Sequence, residues 1–217
     1  MRGAIFDMDG LLIDSERVWQ RVWHELAEER GLTLPDTFAA EICGTGLAES
    51  LAVLSRHFHT DAPEEVSRAC AARVYRIEEG GVPLLPGAAL IRAGLRARGF
   101  RMAVASSSGP DMIRVNLRYN GIEHYFDKLV SGRAVKNGKP APDIFLFAAK
   151  ELGLPPEECY VFEDSFNGVE AGYRAGCRTI MIPGLIPPDE AHRAMCAGVY
   201  PDLEAAWREI AKEGDII

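Results

Sequence analysis

The sequence predicts an α/β protein in which helices cover both faces of a parallel sheet and one inserted set of helices interrupts the pattern. Short, continuously apolar segments alternate with stretches of helical pattern along most of the chain. Continuous apolar strands are typical of a parallel sheet that is buried on both faces. The interval 15–81 breaks this alternation, because its pattern is almost entirely helical.

The sheet is predicted from five apolar segments rich in β-branched and aromatic residues. These predicted strands are residues 3–6, 101–106, 127–131, 159–163 and 178–182. Most intervals between them carry apolar residues at helical spacing. The corresponding predicted helices are residues 86–98, 109–119, 141–152 and 165–175.

The inserted interval predicts a helical cap, because Gly and Pro breakers divide it into separate helices. The four predicted cap helices are residues 15–30, 35–42, 47–58 and 62–79. Two linkers, near 10–15 and 81–86, join this cap to the sheet. The expected domains are a core of residues 1–14 and 82–217 and a cap of residues 15–81.

The composition and the charge of the chain exclude some classes of binding partner. The chain of 217 residues has a net charge of −8, and it has no segment rich in Lys or Arg that could follow a phosphate backbone. We therefore expect no nucleic acid partner. A run of about 18 apolar residues, as a membrane span needs, is also missing from the sequence. We expect a cytoplasmic monomer with no membrane partner that acts on a small molecule.

Polar residues follow the predicted strands at the edge where ligands bind in open α/β sheets, beyond the carboxyl ends of the strands. Segment 137–143 lies between a strand and a helix and brings a lysine to the same edge. The candidate site residues at this edge are Asp7, Asp9, Ser106, Ser107, Ser108, Lys139, Glu163 and Asp164.

Several carboxylates at one edge repel one another unless a cation lies among them. Oxygen ligands in this number suit Mg²⁺, whereas surroundings poor in His and thiols do not suit zinc or copper. With the ion in place, Ser106 and Lys139 are suited to bind phosphate, as a hydroxyl donor and a positive charge. Asp7 is then a candidate nucleophile and Asp9 a candidate acid and base.

Four motifs resemble, in order and approximate spacing, those of haloacid dehalogenase-like hydrolases. They are DMDGLLIDSE (7–16), VASSS (104–108), GKPAPD (138–143) and VFEDSFNG (161–168). The resemblance is to the branch of β-phosphoglucomutase and the sugar-phosphate phosphatases, and it extends from residue 3 to about residue 183. A single DxDG motif would be a weak signal, whereas four motifs at successive strand ends are specific.

The resemblance implies a Rossmann-like core with a four-helix cap, and it implies a role for each matching residue. Asp7 is implied as the nucleophile and Asp9 as the general acid and base. The implied Mg²⁺ ligands are Asp7, the carbonyl of Asp9, Asp164 and Glu163, the last either directly or through water. The implied substrate residues of the core are Ser106, Ser107 and Lys139, together with Asn167, which braces the loop behind Asp164.

Two reactions of this branch are candidates for the chain, hydrolysis of a phosphate monoester and a phosphate transfer like that of β-phosphoglucomutase. The mutase resembled here holds a second phosphate with a basic residue after the cap-loop glycine, where this chain has Leu47. It also has a His on the first cap helix, where this chain has Trp19, and a cap lysine that residues 15–81 lack. We therefore expect a phosphatase of sugar or sugar-alcohol phosphates, with the mutase as the alternative. Glu16 and Trp19 on the first cap helix are predicted to contact the substrate.

Overall fold

A six-stranded parallel sheet forms the centre of the protein in the computed structural model, which describes residues 2–43, 47–184 and 186–213. Its strands lie in the order β3-β2-β1-β4-β5-β6. They are β1 (Gly3–Phe6), β2 (Arg101–Ser106), β3 (Lys128–Ser131), β4 (Cys159–Glu163), β5 (Arg178–Met181) and β6 (Gly198–Val199). The predicted α/β fold with a Rossmann-like parallel sheet is confirmed.

Helices occupy both faces of the sheet and the inserted interval. They are α1 (Ser15–Glu28), α2 (Phe38–Ile42), α3 (Leu47–Phe58), α4 (Pro63–Glu78), α5 (Ala88–Ala97), α6 (Pro110–Tyr119), α7 (Asp143–Leu152), α8 (Phe166–Arg174), α9 (Glu190–Met195) and α10 (Leu203–Glu213). Among the helices in the described ranges, none is both long and apolar enough to cross a bilayer.

Strand β6 and the start of helix α2 are two places where the structure differs from the sequence prediction. Strand β6 is absent from the prediction because its two half-buried residues form no apolar run. Helix α2 begins at Phe38 instead of residue 35, since the N–H of Phe38 donates to the carbonyl of Pro35 at 2.9 Å in a turn that precedes the helix. One difference concerns the start of a helix and the other a strand of two residues, and the local sequence pattern predicts neither kind of detail well.

The register of the sheet determines which side chains meet at its carboxyl edge. Strand β1 lies between β2 and β4. Its last residue, Phe6, pairs with Val104 of β2 and Phe162 of β4. The residues that follow these three strands therefore leave the sheet side by side, near its middle.

The two faces of the sheet have separate apolar layers, as its continuous apolar strands require. On one face, the rings of Phe6 and Phe162 stack with centroids 4.6 Å apart. On the other face, Ile5 and Val161 belong to a buried cluster with Phe145 of α7. Every residue of β1 is buried, which explains why its sequence shows no alternation of apolar and polar residues.

The helices of the inserted interval pack around an apolar cluster of their own. The ring of Trp23 on α1 lies 6.0 Å from that of Phe38 and 6.1 Å from that of Phe58. Val22 and Leu26 bury the same side of α1 in this cluster. A second core of this kind supports the proposed division into a core of residues 1–14 and 82–217 and a cap of residues 15–81.

Candidate active site

Asp7 leaves the sheet at the centre of the carboxyl edge. Its N–H donates to the carbonyl of Phe162 at 3.0 Å, which continues the pairing of β1 with β4 by one residue. The Asp7 residue is only 6% exposed. Its carboxylate is therefore held in place by the sheet in a nearly dry environment, which is the setting in which a nucleophile can be aimed.

Lys139 is the cation of this edge, and it comes from the loop between β3 and α7. Its Nζ lies 2.5 Å from Asp7 Oδ1 and 2.6 Å from Glu163 Oε1, and it donates to the carbonyl of Ala105 at 3.3 Å. Burial disfavours the charged amine, but the two carboxylates outweigh burial and raise the pKa of Lys139 above its ordinary value. Lys139 therefore stays protonated and brings the predicted positive charge to Asp7.

Two serines at the end of β2 hold Asp9. The hydroxyls of Ser106 and Ser108 each donate to Asp9 Oδ2 at 2.9 Å, and the N–H of Ser108 donates to Ser106 Oγ at 2.9 Å. Ser131 Oγ in turn donates to the carbonyl of Ser108 at 2.6 Å. Burial raises the pKa of Asp9, although the hydrogen bonds from the serines oppose this shift.

Glu163 uses both of its carboxylate oxygens within the protein. Oε1 accepts from Lys139 at 2.6 Å, and Oε2 accepts from the N–H of Asp164 at 3.0 Å and from the N–H and the hydroxyl of Ser165 at 3.1 and 3.0 Å. The residue is fully buried. Glu163 thus holds Lys139 and the 164–165 turn, and of the two predicted modes of metal contact this geometry favours the one through water.

The position of Glu163 depends on Gly168. A Cβ added at Gly168 would lie 1.8 Å from Glu163 Cδ. We expect Gly168→Ala to lower the free energy of unfolding by about 2 kcal/mol or more in urea titrations, since the buried carboxylate would have to leave its hydrogen bonds to make room for the added Cβ. The Gly138→Ala variant is the control, because no atom lies within 4 Å of the added Cβ. Equal stability of the two variants would contradict the confinement of Glu163.

The site carries more negative than positive charge. Burial, together with Glu163 and Asp9, raises the pKa of Asp7 to about 7 in spite of the opposing charge of Lys139. Burial, with Glu163 and Asp7 beside it, raises the pKa of Asp164 well above its ordinary value. Four carboxylates around one lysine leave an excess of negative charge that a divalent cation would relieve.

The space and the donors at this edge fit Mg²⁺. Gly10 has φ +76°, and a Cβ there would lie 2.3 Å from Asp164 Oδ2, so the glycine lets Asp164 approach the turn after β1. Within the described ranges, no three His, Cys, Asp or Glu side chains are arranged to hold a metal alone. Two carboxylates, from Asp7 and Asp164, together with the main-chain carbonyl of Asp9 and water are the donors that could hold Mg²⁺ here.

The predicted substrate residues of the cap lie beside this edge. Glu16 lines a cavity of about 50 Å³ together with Cys43 and Asp164. Glu16 and Cys43 also line a neighbouring cavity of about 110 Å³ with Trp19 and Trp23. Burial, and then Asp14, raises the pKa of Glu16. Because Glu16 and Cys43 line both cavities, the aromatic wall on α1 lies next to the surroundings of Asp164.

Two other predicted residues lie at the rim of the site. Ser107 is exposed at the end of β2, and Asn167 is exposed on the first turn of α8. In the part of the chain that the structure describes, no hydrogen bond joins Asn167 to Asp164. Ser165 caps α8, since its Oγ accepts from the N–H of Gly168 at 3.1 Å, and the bracing role of Asn167 stays a prediction.

Sequence reasoning missed Glu78 on the last turn of α4. This residue is only 3% exposed, and burial followed by the charge of Asp9 raises its pKa to about 7. Its neighbours in the sequence, Glu79 and Gly80, are typical of a solvated helix end, so local pattern gives no signal for a buried acid. Ser15 was also missed, although its Oγ accepts from the N–H of Gly10 at 3.0 Å.

The fold and the site together define a class of protein. It is an α/β enzyme with a helical cap and a carboxylate-rich site at the carboxyl edge of its sheet. A family model described as haloacid dehalogenase-like hydrolase matches residues 1–176. The chain belongs to the haloacid dehalogenase-like hydrolase family. The predicted family is confirmed, and so is the predicted class of enzyme, a phosphoric monoester hydrolase.

Relatives of this chain are similar over most of its length. Hexitol phosphatase A of Escherichia coli K12 is 35% identical over 219 residues, covering 100% of this chain and 98% of the relative. A probable pseudouridine-5'-phosphatase of Drosophila melanogaster is 36% identical and covers 83% of this chain and 80% of the relative. A crystal structure of a hydrolase of the family from Deinococcus radiodurans R1, with bound phosphate and sodium, superposes with a TM-score of 0.81 at 31% identity, covering 98% of this chain and 96% of the other.

Proposed function

We propose that the chain is a Mg²⁺-dependent phosphatase that hydrolyses small phosphate monoesters, specifically sugar or sugar-alcohol phosphates, through an aspartyl-phosphate intermediate. The observation that carries the proposal is the buried contact of Asp7 with Lys139, at 2.5 Å, beside the hydrogen bond of Ser106 to Asp9. A nucleophile, a phosphate-binding cation and an acid thus lie together, and phosphoryl transfer depends mainly on such positioning and on charge neutralisation.

Phosphate binding is assigned to Lys139, Ser106 and the exposed Ser107 at the end of β2. Lys139 supplies a charge that burial keeps unscreened, and Ser106 Oγ, fully buried at the bottom of the site, supplies a hydroxyl donor. Because Glu163 holds Lys139 from behind, the ammonium group can turn from Asp7 to an incoming phosphate oxygen without leaving its loop.

The proposed metal ligands are Asp7, Asp164 and the main-chain carbonyl of Asp9. When bound there, Mg²⁺ neutralises the phosphate oxygens and the carboxylates that face them. Glu163 contributes indirectly, since its Oε2 accepts from the N–H of Asp164 at 3.0 Å and so positions that ligand.

The chemical steps use Asp7 and Asp9. An Asp7 carboxylate oxygen attacks phosphorus, the bond to the leaving oxygen breaks, and Asp9 gives its proton to that oxygen. Asp9 then takes a proton from a water molecule, which attacks the phosphorus of the aspartyl phosphate and releases phosphate and free Asp7. The raised pKa of Asp9 supports this role, because an acid must carry its proton when the ester arrives.

The substrate class is inferred from the cap and from the relatives. Glu16 offers an acceptor for hydroxyl groups beside Asp164, and Trp19 offers a flat apolar wall against which a carbon chain or sugar ring can pack. The similarity to a hexitol phosphatase over the whole chain supports a sugar-alcohol phosphate as substrate.

A phosphomutase is the alternative of the same branch. A mutase needs a second phosphate clamp in the cap, and the sequence has Leu47 where a basic residue is expected. The cap-loop residues 44–46 and the side chain of Leu47 lie outside the described residues. The phosphatase is preferred because water serves as its second acceptor, so no further clamp is needed.

A screen of phosphate monoesters with and without Mg²⁺ tests the proposal. We expect release of phosphate from hexitol and hexose phosphates with Mg²⁺, and a loss of at least about 100-fold in rate after treatment with EDTA, restored by added Mg²⁺. An unchanged rate after removal of divalent ions would contradict the proposed cofactor. Isomerisation of a sugar phosphate that requires a bisphosphate activator would favour the mutase.

A further inference from the structure

The second linker between cap and core is attached to α6 by two side-chain amides. The N–H of Val82 donates to Asn116 Oδ1 at 2.9 Å, and Asn120 Nδ2 donates to the carbonyl of Val82 at 2.7 Å. Both main-chain groups of one linker residue are therefore bound by side chains of a core helix. Asn116 is fully buried, and burying an amide is costly unless it makes such hydrogen bonds.

The two amides are themselves held on α6. Asn116 Nδ2 donates to the carbonyl of Met112 at 3.2 Å, and Asn120 Nδ2 also donates to the carbonyl of Asn116 at 2.9 Å. These bonds fix the orientation of each amide before it meets Val82. The attachment is therefore a preorganised part of the core helix and does not depend on the linker to order it.

Gly81, just before Val82, fits against the same helix. A Cβ at Gly81 would lie 2.0 Å from the ring of Tyr119, and its φ is +84°. A side chain at this position would both strain the backbone and collide with Tyr119. The linker thus passes closely over α6 at Gly81 and is bound to it at Val82.

The remainder of the second linker pairs with the first linker. The N–H of Asp14 donates to the carbonyl of Pro83 at 3.0 Å, and the N–H of Leu85 donates to the carbonyl of Leu12 at 2.9 Å. From Val82 onward, these hydrogen bonds tie the second linker either to α6 or to the first linker. The segment 79–81 lies on the cap side of this fixed region.

Residues 79–81 have only local hydrogen bonds among the main-chain bonds of the described residues. The N–H groups of Gly80 and Gly81 donate to the carbonyls of Ile77 and Glu78 at 3.0 and 2.8 Å, which are bonds within the end of α4. A segment with two glycines and no main-chain bond to the core can change its backbone angles while Val82 stays in place.

We propose that Asn116 and Asn120 are positioning residues for the phosphatase reaction: they hold Val82 stationary on α6, so that the cap turns at residues 79–81 and returns Glu16 and Trp19 to one place beside Asp7. This inference rests on the proposed function. It assigns to α6, the core helix that follows the motif at residues 104–108, control over where the cap meets the substrate.

The test combines two variants with a control on the same helix. Asn116→Ala removes the acceptor for the Val82 N–H, and Asn120→Asp removes the donor to the Val82 carbonyl at a half-buried position. Arg118→Ala is the control, because Arg118 is exposed and pairs with Glu123, away from the linker. Each is assayed with sorbitol 6-phosphate, whose hydroxyl groups are the proposed partners of the cap, and with p-nitrophenyl phosphate, which has no hydroxyl groups and whose leaving group departs without protonation. Hydrogen exchange of the Val82 amide is measured in parallel.

We expect both Asn variants to lose about tenfold in kcat/KM for sorbitol 6-phosphate and less than about twofold for p-nitrophenyl phosphate, since a misplaced cap affects only the ester whose hydroxyl groups the cap contacts. In Asn116→Ala, exchange of the Val82 amide should rise about tenfold, as loss of one hydrogen bond predicts. The Arg118→Ala variant should retain both the rates and the exchange of the unmodified protein.

Equal losses on both esters, or no loss on either, in a folded variant would overturn the positioning role. Unchanged exchange at Val82 in Asn116→Ala would overturn the attachment itself. If Asn116→Ala does not fold, the kinetic comparison of Asn120→Asp with Arg118→Ala decides. If the unmodified protein hydrolysed neither ester in the presence of Mg²⁺, the proposed function would be refuted. The exchange experiment would still test whether Val82 is attached to α6.

Discussion

We expect the Asp7→Asn variant to lose hydrolysis of every phosphate ester by about 10³-fold or more, because the amide oxygen cannot act as the attacking nucleophile. The substitution keeps the size and shape of the side chain. Lys139 retains its 2.6 Å contact with Glu163, so the variant should stay folded. Steady-state rates on the best ester of the screen, together with the urea midpoint, provide the measurement.

The control for this variant is Asp111→Asn, which makes the same chemical change at an exposed position on the first turn of α6. Its rate should stay close to that of the unmodified protein. If Asp7→Asn turned over at more than about one tenth of the normal rate, Asp7 could not be the residue that forms the covalent intermediate.

The Lys139→Met variant should lose both stability and activity. Without the ammonium group, Asp7 and the fully buried Glu163 remain as unpaired carboxylates. Removal of one partner from a buried ion pair costs about 3 to 5 kcal/mol in the free energy of unfolding. Activity should fall by at least about 100-fold, since the phosphate loses the positive charge that binds it. Urea unfolding and steady-state kinetics measure the two effects.

Two further variants separate the structural effect from the chemical one. Lys128→Met removes a lysine whose partner, Glu151, is also exposed, and it should cost less than about 1 kcal/mol. The double variant Lys139→Met/Glu163→Gln removes both buried charges, so it should recover part of the lost stability but none of the activity. Recovery of activity in the double variant would mean that Lys139 serves only to neutralise Glu163.

The sheet and its edge were predictable because both depend on local pattern. Continuous apolar segments such as residues 3–6 predict the buried strands. The residues that follow parallel strands lie close together where those strands end side by side. This rule places Asp7 and the loop of Lys139 at the same edge although the two residues are 132 positions apart in the sequence; their direct contact depends on the path of the loop between β3 and α7.

The details that the sequence did not predict depend on packing between distant segments. Nothing near Glu163 in the sequence indicates that both of its oxygens are bound by Lys139 and the following turn. Glu78 has the pattern of a solvated helix end, and it is buried only because α4 ends against the core near Asp9. The attachment of Val82 likewise requires two segments that the fold alone brings together.

The central claim is that Asp7 attacks phosphorus, and trapping of the intermediate tests it most directly. The enzyme is quenched with acid during turnover with Mg²⁺ and treated with borohydride, which reduces an acyl phosphate to an alcohol, and its peptides are analysed by mass spectrometry. We expect conversion of Asp7 to homoserine in the unmodified protein and no conversion in Asp7→Asn. Reduction at a different residue, or none during rapid turnover, would contradict the account.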